Sequence, residues 1–405
     1  MGAVEHFDIA IVGAGIAGSA LALALADSGY RIALVEAQPL ARRELPESAG
    51  VQDFDARVSA LTPRSIKWLD QLGAWAAVTD YRHCPYRHMT VWDAEGTGRI
   101  EFDANELGVP ALGHIVENRA LVDALLAQVL RQSAIVRFSP EALNHCEVPD
   151  GGPVQLELES EKPLSADLLV GADGALSRVR DMLGFNTREW DYGHRAIVAT
   201  VQTAEPHQDT AWQRFLPSGP LAFLPLPSSD QTHLCSIVWS LQDQLVDDLL
   251  DLDDEAFCRE LSRAFEHNLG GVTGISKRFA FPLRQRHAVD YVRPGVALVA
   301  DAAHTIHPLA GQGINLGLQD VAALADELLW ARERVLNPGE LQVLGRYQRR
   351  RKGENLLMMG AMDGFKRLFE QEALPLRWLR NAGMRGVGQI APIKRRLMRH
   401  AMGVD

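Results

Sequence analysis

Cysteine is scarce in this 405-residue chain. Its four cysteines, Cys84, Cys146, Cys235 and Cys258, lie far apart with no CxxC spacing. That argues against a cysteine-built zinc site and a secreted disulfide framework, and it fits a reducing cytoplasm. Cationic excess is also missing: 41 Lys and Arg stand against 52 Asp and Glu, a net charge of −11, which speaks against a nucleic-acid binder. A convincing membrane span is missing too. The charge-free run from Ile9 to Ala26 is 18 residues long, but Gly13, Gly15 and Gly18 interrupt it and Asp8 and Asp27 bound it. It fails as a signal peptide, because Glu5 and Asp8 stand where a positive flank is required. No P-loop or nucleophile elbow is present; Ser19 follows a glycine turn without the GxSxG setting. What the chain has is 47% hydrophobic residues, enough for a sizeable core, and length for two domains or one large domain with insertions.

The charge is unevenly spread. Residues Arg346 to Asp405 hold 14 Lys and Arg against 5 Asp and Glu, a net +9, which leaves −20 on the other 345 residues. An acidic body with a basic tail directs the tail toward an anionic surface. Glu340 to Phe369 reads mainly as helix and carries the cluster Arg349-Arg-Arg-Lys352. Ile393 to Met402 alternates apolar and basic residues at helical spacing, with Ile393, Leu397 and Met398 on one side and Lys394 and Arg395 toward another. Such a helix either rests on anionic lipid or packs on the body with its charges solvated.

The first forty residues form a recognisable unit. Asp8 to Val12 is a short β-branched apolar run that suits a buried parallel strand. Gly13-Ala-Gly15-Ile-Ala-Gly18 follows, then an Ala/Leu-rich helix from Ser19 to Ser28 closed by Gly29, and a second strand from Arg31 to Val35 ending at Glu36. This is the strand–glycines–helix–strand–acid order of a dinucleotide site. Gly13 permits the tight turn, Gly15 lets backbone approach a pyrophosphate, and Gly18 lets helix and strand pack closely. The helix N-terminus offers free N–H groups and partial positive charge. Glu36 would accept ribose hydroxyls and repel a 2′-phosphate, so NADP is a poor ligand here. The unit does not separate FAD from NAD.

Two later segments bear on that choice. Asp167-Leu-Leu-Val-Gly171-Ala-Asp173-Gly174-Ala-Leu-Ser177-Arg-Val-Arg180 is a strand running into a Gly/Asp turn and a helix. Gly295 to Ala300 is another strand, ending at Asp301; Ala-Ala-His304-Thr-Ile-His307-Pro308-Leu-Ala-Gly311-Gln312-Gly313-Ile314-Asn315-Leu-Gly317 leads from it into a long helix. A strand-end carboxylate suits the hydroxyls of a ribityl chain, and a glycine-rich loop lets N–H groups approach a flat ring. His304 and His307 are three apart, but no third ligand follows and Pro308 limits helix there, so a flavin-supporting loop is preferred to a metal site.

These three segments resemble the GxGxxG, "DG" and "GD" motifs of the p-hydroxybenzoate hydroxylase-like flavoprotein monooxygenases, over nearly the whole chain. Asp301 to Gly317 is most similar to the signature of the ubiquinone-biosynthesis FAD-dependent hydroxylases (UbiH/UbiF/UbiI), as are Arg57-Val-Ser-Ala-Leu61, Gly113 to Asn118, Leu221 to Leu226 and Ser236 to Leu241. The last three, with Trp190-Asp-Tyr192 and Ala401-Met-Gly403, resemble the 2-octaprenylphenol hydroxylase branch. One departure stands out: the family's Gly before the "GD" acid is Ala300 here, which an extended backbone would tolerate.

The resemblance implies an α/β fold. A discontinuous Rossmann-like FAD-binding domain takes residues 1–81, 103–185 and 283–335, a β-sheet substrate domain takes 82–102 and 186–282, and a basic helical region takes 336–405. It implies that Gly13, Gly15, Gly18 and Glu36 hold the ADP half of FAD, that Arg57, Arg119 and Asp173 contact cofactor, and that Asp301 binds the ribityl chain. Pro308, Gly311, Gln312, Gly313, Ile314 and Asn315 surround the flavin ring. His304, His307 and Pro308 are the flavin-proximal candidates for catalysis, and no residue is assigned as metal ligand. The implied reaction is hydroxylation of a polyprenylated phenol or benzoquinol by O2 through a flavin C4a-hydroperoxide, with NAD(P)H as transient reductant. The helix opening near Gly313 would stabilise reduced flavin, and an apolar pocket would keep the site dry. Implied surroundings are a quinone-biosynthesis complex and the cytoplasm, with peripheral contact on the inner face of the cytoplasmic membrane. The rival readings are a hydroxylase of a soluble aromatic, a polyprenyl reductase, and a flavin-bound scaffold subunit. Leu221 to Leu226 and Cys235 to Leu241 read as apolar strands divided by a polar turn around Ser228 to Thr232, and most of their residues are expected to be sheet core.

Overall fold

A computed structural model describes residues 4–227, 233–305, 313–370, 381, 383, 386 and 390–403. The turn at 228–232 and His307, Pro308, Gly311 and Gln312 lie outside the described residues, as do the side chains of Tyr192 and Ile393.

The strand Glu5–Val12 lies parallel between Ile32–Val35 and Pro163–Gly171. Ile135–Phe138 extends the sheet parallel to Ile32–Val35, and Val296–Leu298 extends it beyond Pro163–Gly171. Strands that are buried on both faces read as continuous apolar runs rather than alternating ones. Phe7, Ile9, Ile11, Ile32, Leu34, Leu168 and Leu169 are accordingly all 0% exposed. Each such large side chain contributes roughly 1.5–3 kcal/mol on burial. The helices Ile16–Leu25, Asn118–Val129 and Gly313–Glu333 cover this sheet. Tyrosine hydroxyls pin the cover: Tyr30 donates to the Leu328 carbonyl at 2.9 Å and Tyr347 to the Leu298 carbonyl at 2.8 Å.

The second sheet has nine strands and is mostly antiparallel. Its centre is Thr187–Thr203 paired with Leu234–Gln242, which in turn pairs with Gly219–Pro225 in a register that sets Leu221 opposite Trp239. One face carries Ile197, Ala199, Val201, Phe223, Ile237 and Trp239 and packs on Phe257, Leu261 and Phe265 of the helical segment below it. Alternation turns Ala196, Val198 and Val238 to the opposite face, beside Phe281 and Leu283. The boundary expected at 282/283 falls inside the strand Phe279–Ala288. The expected 82–102 segment divides: Cys84–Tyr86 joins a small sheet with Val58–Leu61 and Gly113–Glu117, while His88–Asp93 joins the large one.

The tail corrects two expectations about its cations and its apolar side. Along the helix Leu341–Glu370, the basic cluster is not a free cationic patch. Arg351 is 2% exposed and binds Asp320, while Arg346, Arg350 and Lys352 pair with Glu327, Asp326 and Asp290. Most of these acids lie on the neighbouring helix, so the positive run is largely neutralised within the fold. In the last helix, Ala391–Met402, Met398 and Met402 are buried against Ala104 and Leu112, whereas Leu397 is 48% exposed. Leu397 and Met398 therefore do not share one side. Lys394 is pulled inward by an ion pair with Glu106, leaving Arg395, Arg396 and Arg399 exposed.

Candidate active site

A cavity of about 870 Å³ runs from the glycine turn of the parallel sheet to the free face of the large sheet. Its size is at the upper end for a small-molecule site, suited to an elongated ligand. The nucleotide end is built by the backbone. Gly13 has φ +100°, and a Cβ there would sit 2.6 Å from the Ala172 carbonyl oxygen. A Cβ on Gly18 would come within 1.8 Å of the Gly13 carbonyl oxygen. Gly15 differs: apart from its own chain neighbours, no described atom lies within 4 Å of where its Cβ would be. It faces the cavity and starts the helix Ile16–Leu25, which has no side-chain cap. The helix's first N–H groups are thus left for an anion. Glu36 accepts from the Ala14 N–H at 2.7 Å and from the Gln38 N–H at 2.9 Å, which fixes its carboxylate at the cavity wall. These features fit the ADP half of FAD.

In the middle stretch, Asp301, Ala300, Gly313, Ile314 and Gly317 line the wall. Asp301 opens onto the cavity with protein around its other sides. That desolvation raises its pKa, against the pull of His304 and Arg57. The backbone at Ala300 is not extended as expected. It has φ +52°, the left-handed region that favours glycine, which accounts for the family's Gly at this place. Arg57 lines the cavity with its guanidinium 4.7 Å above the Phe281 ring, joining the two units.

Three other expected contacts have different local partners. Asp173 borders the cavity, but its carboxylate accepts from the Ser177 hydroxyl and, at 3.2 Å, from the Val179 N–H, organising the turn into the helix Arg178–Met182. The Arg119 guanidinium binds Glu117 at 2.6 Å and the Asp53 carbonyl, while its neighbour Asn118 faces the cavity. Asn315 is 1% exposed and bound on both sides of its amide: it accepts from the Thr62 N–H at 3.0 Å and the Ser65 hydroxyl at 2.7 Å, and donates one N–H to the Ala60 carbonyl at 2.8 Å. It clamps the long helix to the small sheet.

Behind the Asp301 turn lies a polar network that sequence reasoning missed. Asp320, 0% exposed, accepts from Arg351 at 2.8 Å, Asn355 at 3.0 Å, the Ala300 N–H at 3.3 Å and His304 Nε2. Burial alone would raise its pKa, but His304 and Arg351 outweigh that and hold it below the ordinary carboxylate value. The available signal was one acid among the apolar positions of a long helix. His304 thus buttresses the turn from behind through Nε2.

At the ring end the wall is Ala196, Val198, Val238, Phe281 and Leu283, with Ser236. Elsewhere, Cys84, His207 and Asp209 bring donor atoms within 4.8 Å of one another. His207 Nδ1 already accepts from the Asp209 N–H at 3.1 Å, so Nε2 carries the proton and donates to the Leu226 carbonyl at 3.2 Å. Burial pushes the Cys84 thiol up to about 12. The imidazole has no uncommitted lone pair, and the cluster reads as a hydrogen-bonded turn.

Comparison with known proteins bears on the cavity's ligand. The FAD binding domain family matches residues 6–354. The chain is 39% identical over 398 residues to 3-demethoxyubiquinol 3-hydroxylase of Escherichia coli (strain K12), covering 98% of each. It is 36% identical over 396 residues to ubiquinone hydroxylase UbiL of Rhodospirillum rubrum, covering 98% of this chain and 89% of that one. Its fold matches p-nitrophenol 4-monooxygenase PnpA from Pseudomonas putida DLL-E4 with a TM-score of 0.76 at 18% identity, covering 98% and 99% of the two chains.

Proposed function

Because the chain belongs to the FAD binding domain family, among the ubiquinone-biosynthesis hydroxylases, we propose that it hydroxylates the ring of a polyprenylated phenol or benzoquinol. One atom of O2 replaces a ring hydrogen as hydroxyl. The other leaves as water, with two electrons taken from NAD(P)H. A prenylphenol, to which the motifs point, and a demethoxyubiquinol, for which the Escherichia coli relative is named, both present a ring hydroxyl.

The observation that carries this reading is the continuity of one cavity from an uncapped helix N-terminus and a fixed acid to an apolar sheet face. FAD, when bound, supplies the activation of O2 and the oxygen transfer. The rest is the work of this chain. Gly13, Gly15, Gly18 and Glu36 hold the ADP half, and Asp301 takes the ribityl hydroxyls. Arg57 spans the junction, and Gly313 and Ile314 border the ring, with Pro308, Gly311 and Gln312, which lie outside the described residues, assigned there by resemblance. Ala196, Val198, Val238, Phe281 and Leu283 exclude water from the reacting carbon. The test is turnover of FAD-loaded protein with NAD(P)H and 2-geranylphenol under ¹⁸O-labelled O2. The expected product carries one added labelled oxygen; unlabelled or absent product overturns the reading.

The same proposal places the last helix on an anionic membrane surface, close to a bilayer-dissolved substrate and to other quinone-making enzymes. What supports it is the exposed set Leu397, Arg395, Arg396 and Arg399, together with buried Met398 and Met402 that hold the helix to the body. Among the described residues no helix is long and apolar enough to cross a membrane. Vesicles containing phosphatidylglycerol should bind the protein in a salt-sensitive manner, and equal binding to neutral vesicles would overturn the placement.

A further inference from the structure

The ring end of the cavity has one polar anomaly. Ala196, Val198, Val238, Phe281 and Leu283 offer a ligand no hydrogen bond from their side chains. Ser236 lies among them on the strand Leu234–Gln242, opposite Leu224 on one neighbouring strand and Thr200 on the other. Its two chain neighbours, Cys235 and Ile237, belong to the core on the far side of the sheet, so alternation turns Ser236 to the cavity with Val238. Ser236 is 1% exposed.

Among the described residues, three hydroxyl side chains border this cavity: Ser59, Ser236 and Thr305. Ser59 donates to Asn118 Oδ1 at 2.6 Å, and Thr305 donates to the Asp301 carbonyl at 3.4 Å. Ser236 Oγ has no hydrogen-bond partner among the described residues, and it is not sealed in by protein but keeps contact with the cavity. Of the nearby cations, Arg284 pairs with Asp191 at 3.2 Å, and Arg57 lies over Phe281 at the junction of the two units. A buried hydroxyl left unpaired is destabilising, and alanine or valine would fill a strand position on an apolar face without that penalty. The hydroxyl is therefore available to whatever enters the cavity.

We propose that Ser236 determines specificity at the ring site: its Oγ accepts a hydrogen bond from the substrate's ring hydroxyl and so selects a free phenol or quinol over its O-alkyl ether. The inference rests on the ring-hydroxylation reading above and adds the group that recognises the ring. An ether places a methyl group where the O–H would be and leaves Ser236 buried and unpaired. The site thus discriminates by an interaction that the apolar wall cannot supply.

The experiment titrates FAD-loaded protein with 2-geranylphenol and with its methyl ether, 2-geranylanisole, following the flavin absorbance. Wild type, Ser236→Ala and Ser236→Thr are compared, with flavin content and Tm checked for each. The wild type is expected to prefer the phenol. Ser236→Ala should weaken phenol binding about five- to tenfold and leave the ether unchanged, erasing the preference. Ser236→Thr, which keeps the hydroxyl, should restore most of it. In turnover, Ser236→Ala should also consume more NAD(P)H per product formed, because the ring is held less firmly. An unchanged phenol-to-ether ratio in Ser236→Ala overturns the inference, because an ordered water then satisfies the hydroxyl. A wild type that does not distinguish the two compounds also overturns it. Failure of the broader reading is separate: it would appear as absence of labelled product from wild type.

Discussion

The nucleotide end of the cavity is made of main chain, and the ring end of side chains drawn from three separate strands. At the first, Gly13, Gly15, Gly18 and an uncapped helix present turns and N–H groups within six residues of sequence. At the second, Ala196, Val198, Ser236, Val238, Phe281 and Leu283 meet only because the large sheet brings their strands together. A backbone site leaves few residue types free, because a Cβ or a wrong φ blocks it. An apolar wall accepts many sequences of similar volume. Motif spacing therefore constrains the cofactor end tightly, and the substrate end depends on tertiary placement.

The sharpest way to break this comparison is at the glycines. Gly18→Ala places its Cβ 1.8 Å from the Gly13 carbonyl oxygen and should prevent normal folding, read as loss of soluble protein or a collapse of Tm. Gly15→Val meets no described atom beyond its chain neighbours at its Cβ and has an ordinary φ of −69°. It should fold with a Tm close to wild-type apoprotein and bind FAD at least about tenfold more weakly. Normal flavin content in purified Gly15→Val would refute the assignment of the nucleotide end.

A smaller effect is expected where the two ends join. Asp320→Ala strands Arg351 and His304 without their buried acid, and should destabilise the protein by roughly 3–5 kcal/mol in urea unfolding. Because Asp320 also holds the Ala300 N–H, FAD affinity should fall with it. Its folded-state pKa is lowered, so its stabilising contribution is complete above the ordinary value of 3.8 and is lost only as pH falls through the lower folded value. A loss under about 1 kcal/mol would mean that the network is solvated and does not support the turn.

The smallest effect is expected at Ala300. Its φ of +52° predicts that Ala300→Gly gains about 0.5–1 kcal/mol in the same unfolding measurement, net of the freer unfolded chain. A loss of that size would show instead that the methyl group's packing against Gly317 outweighs the backbone strain.

Much of the fold was legible in the sequence. The run from Asp8 to Glu36 announces strand, turn, helix and strand because buried parallel strands, glycine turns and Ala/Leu-rich helices each have a strong local pattern. The long tail helix and the strands around Leu221 and Ser236 were legible for the same reason. Side-chain direction was less so. Arg351 reads as one cation in a basic run, yet it is buried because Asp320 faces it from another helix. Asn315 sits inside a flavin-binding signature, yet its amide serves Ala60, Thr62 and Ser65, some 250 residues earlier in the chain. Leu397 and Met398 looked equivalent, but Ala104 and Leu112 receive only the latter.

Residue order alone marked a dinucleotide site and, with the family resemblance, FAD and the α/β architecture, because glycines, strand-end acids and helix starts act through a backbone geometry that local residue order dictates. Which polar groups are spent on the protein and which remain for a ligand follows from packing in three dimensions. A hydrogen bond joins groups that are close in space: among the described residues bordering the cavity, Ser59 and Thr305 find protein partners for their hydroxyls and Ser236 does not.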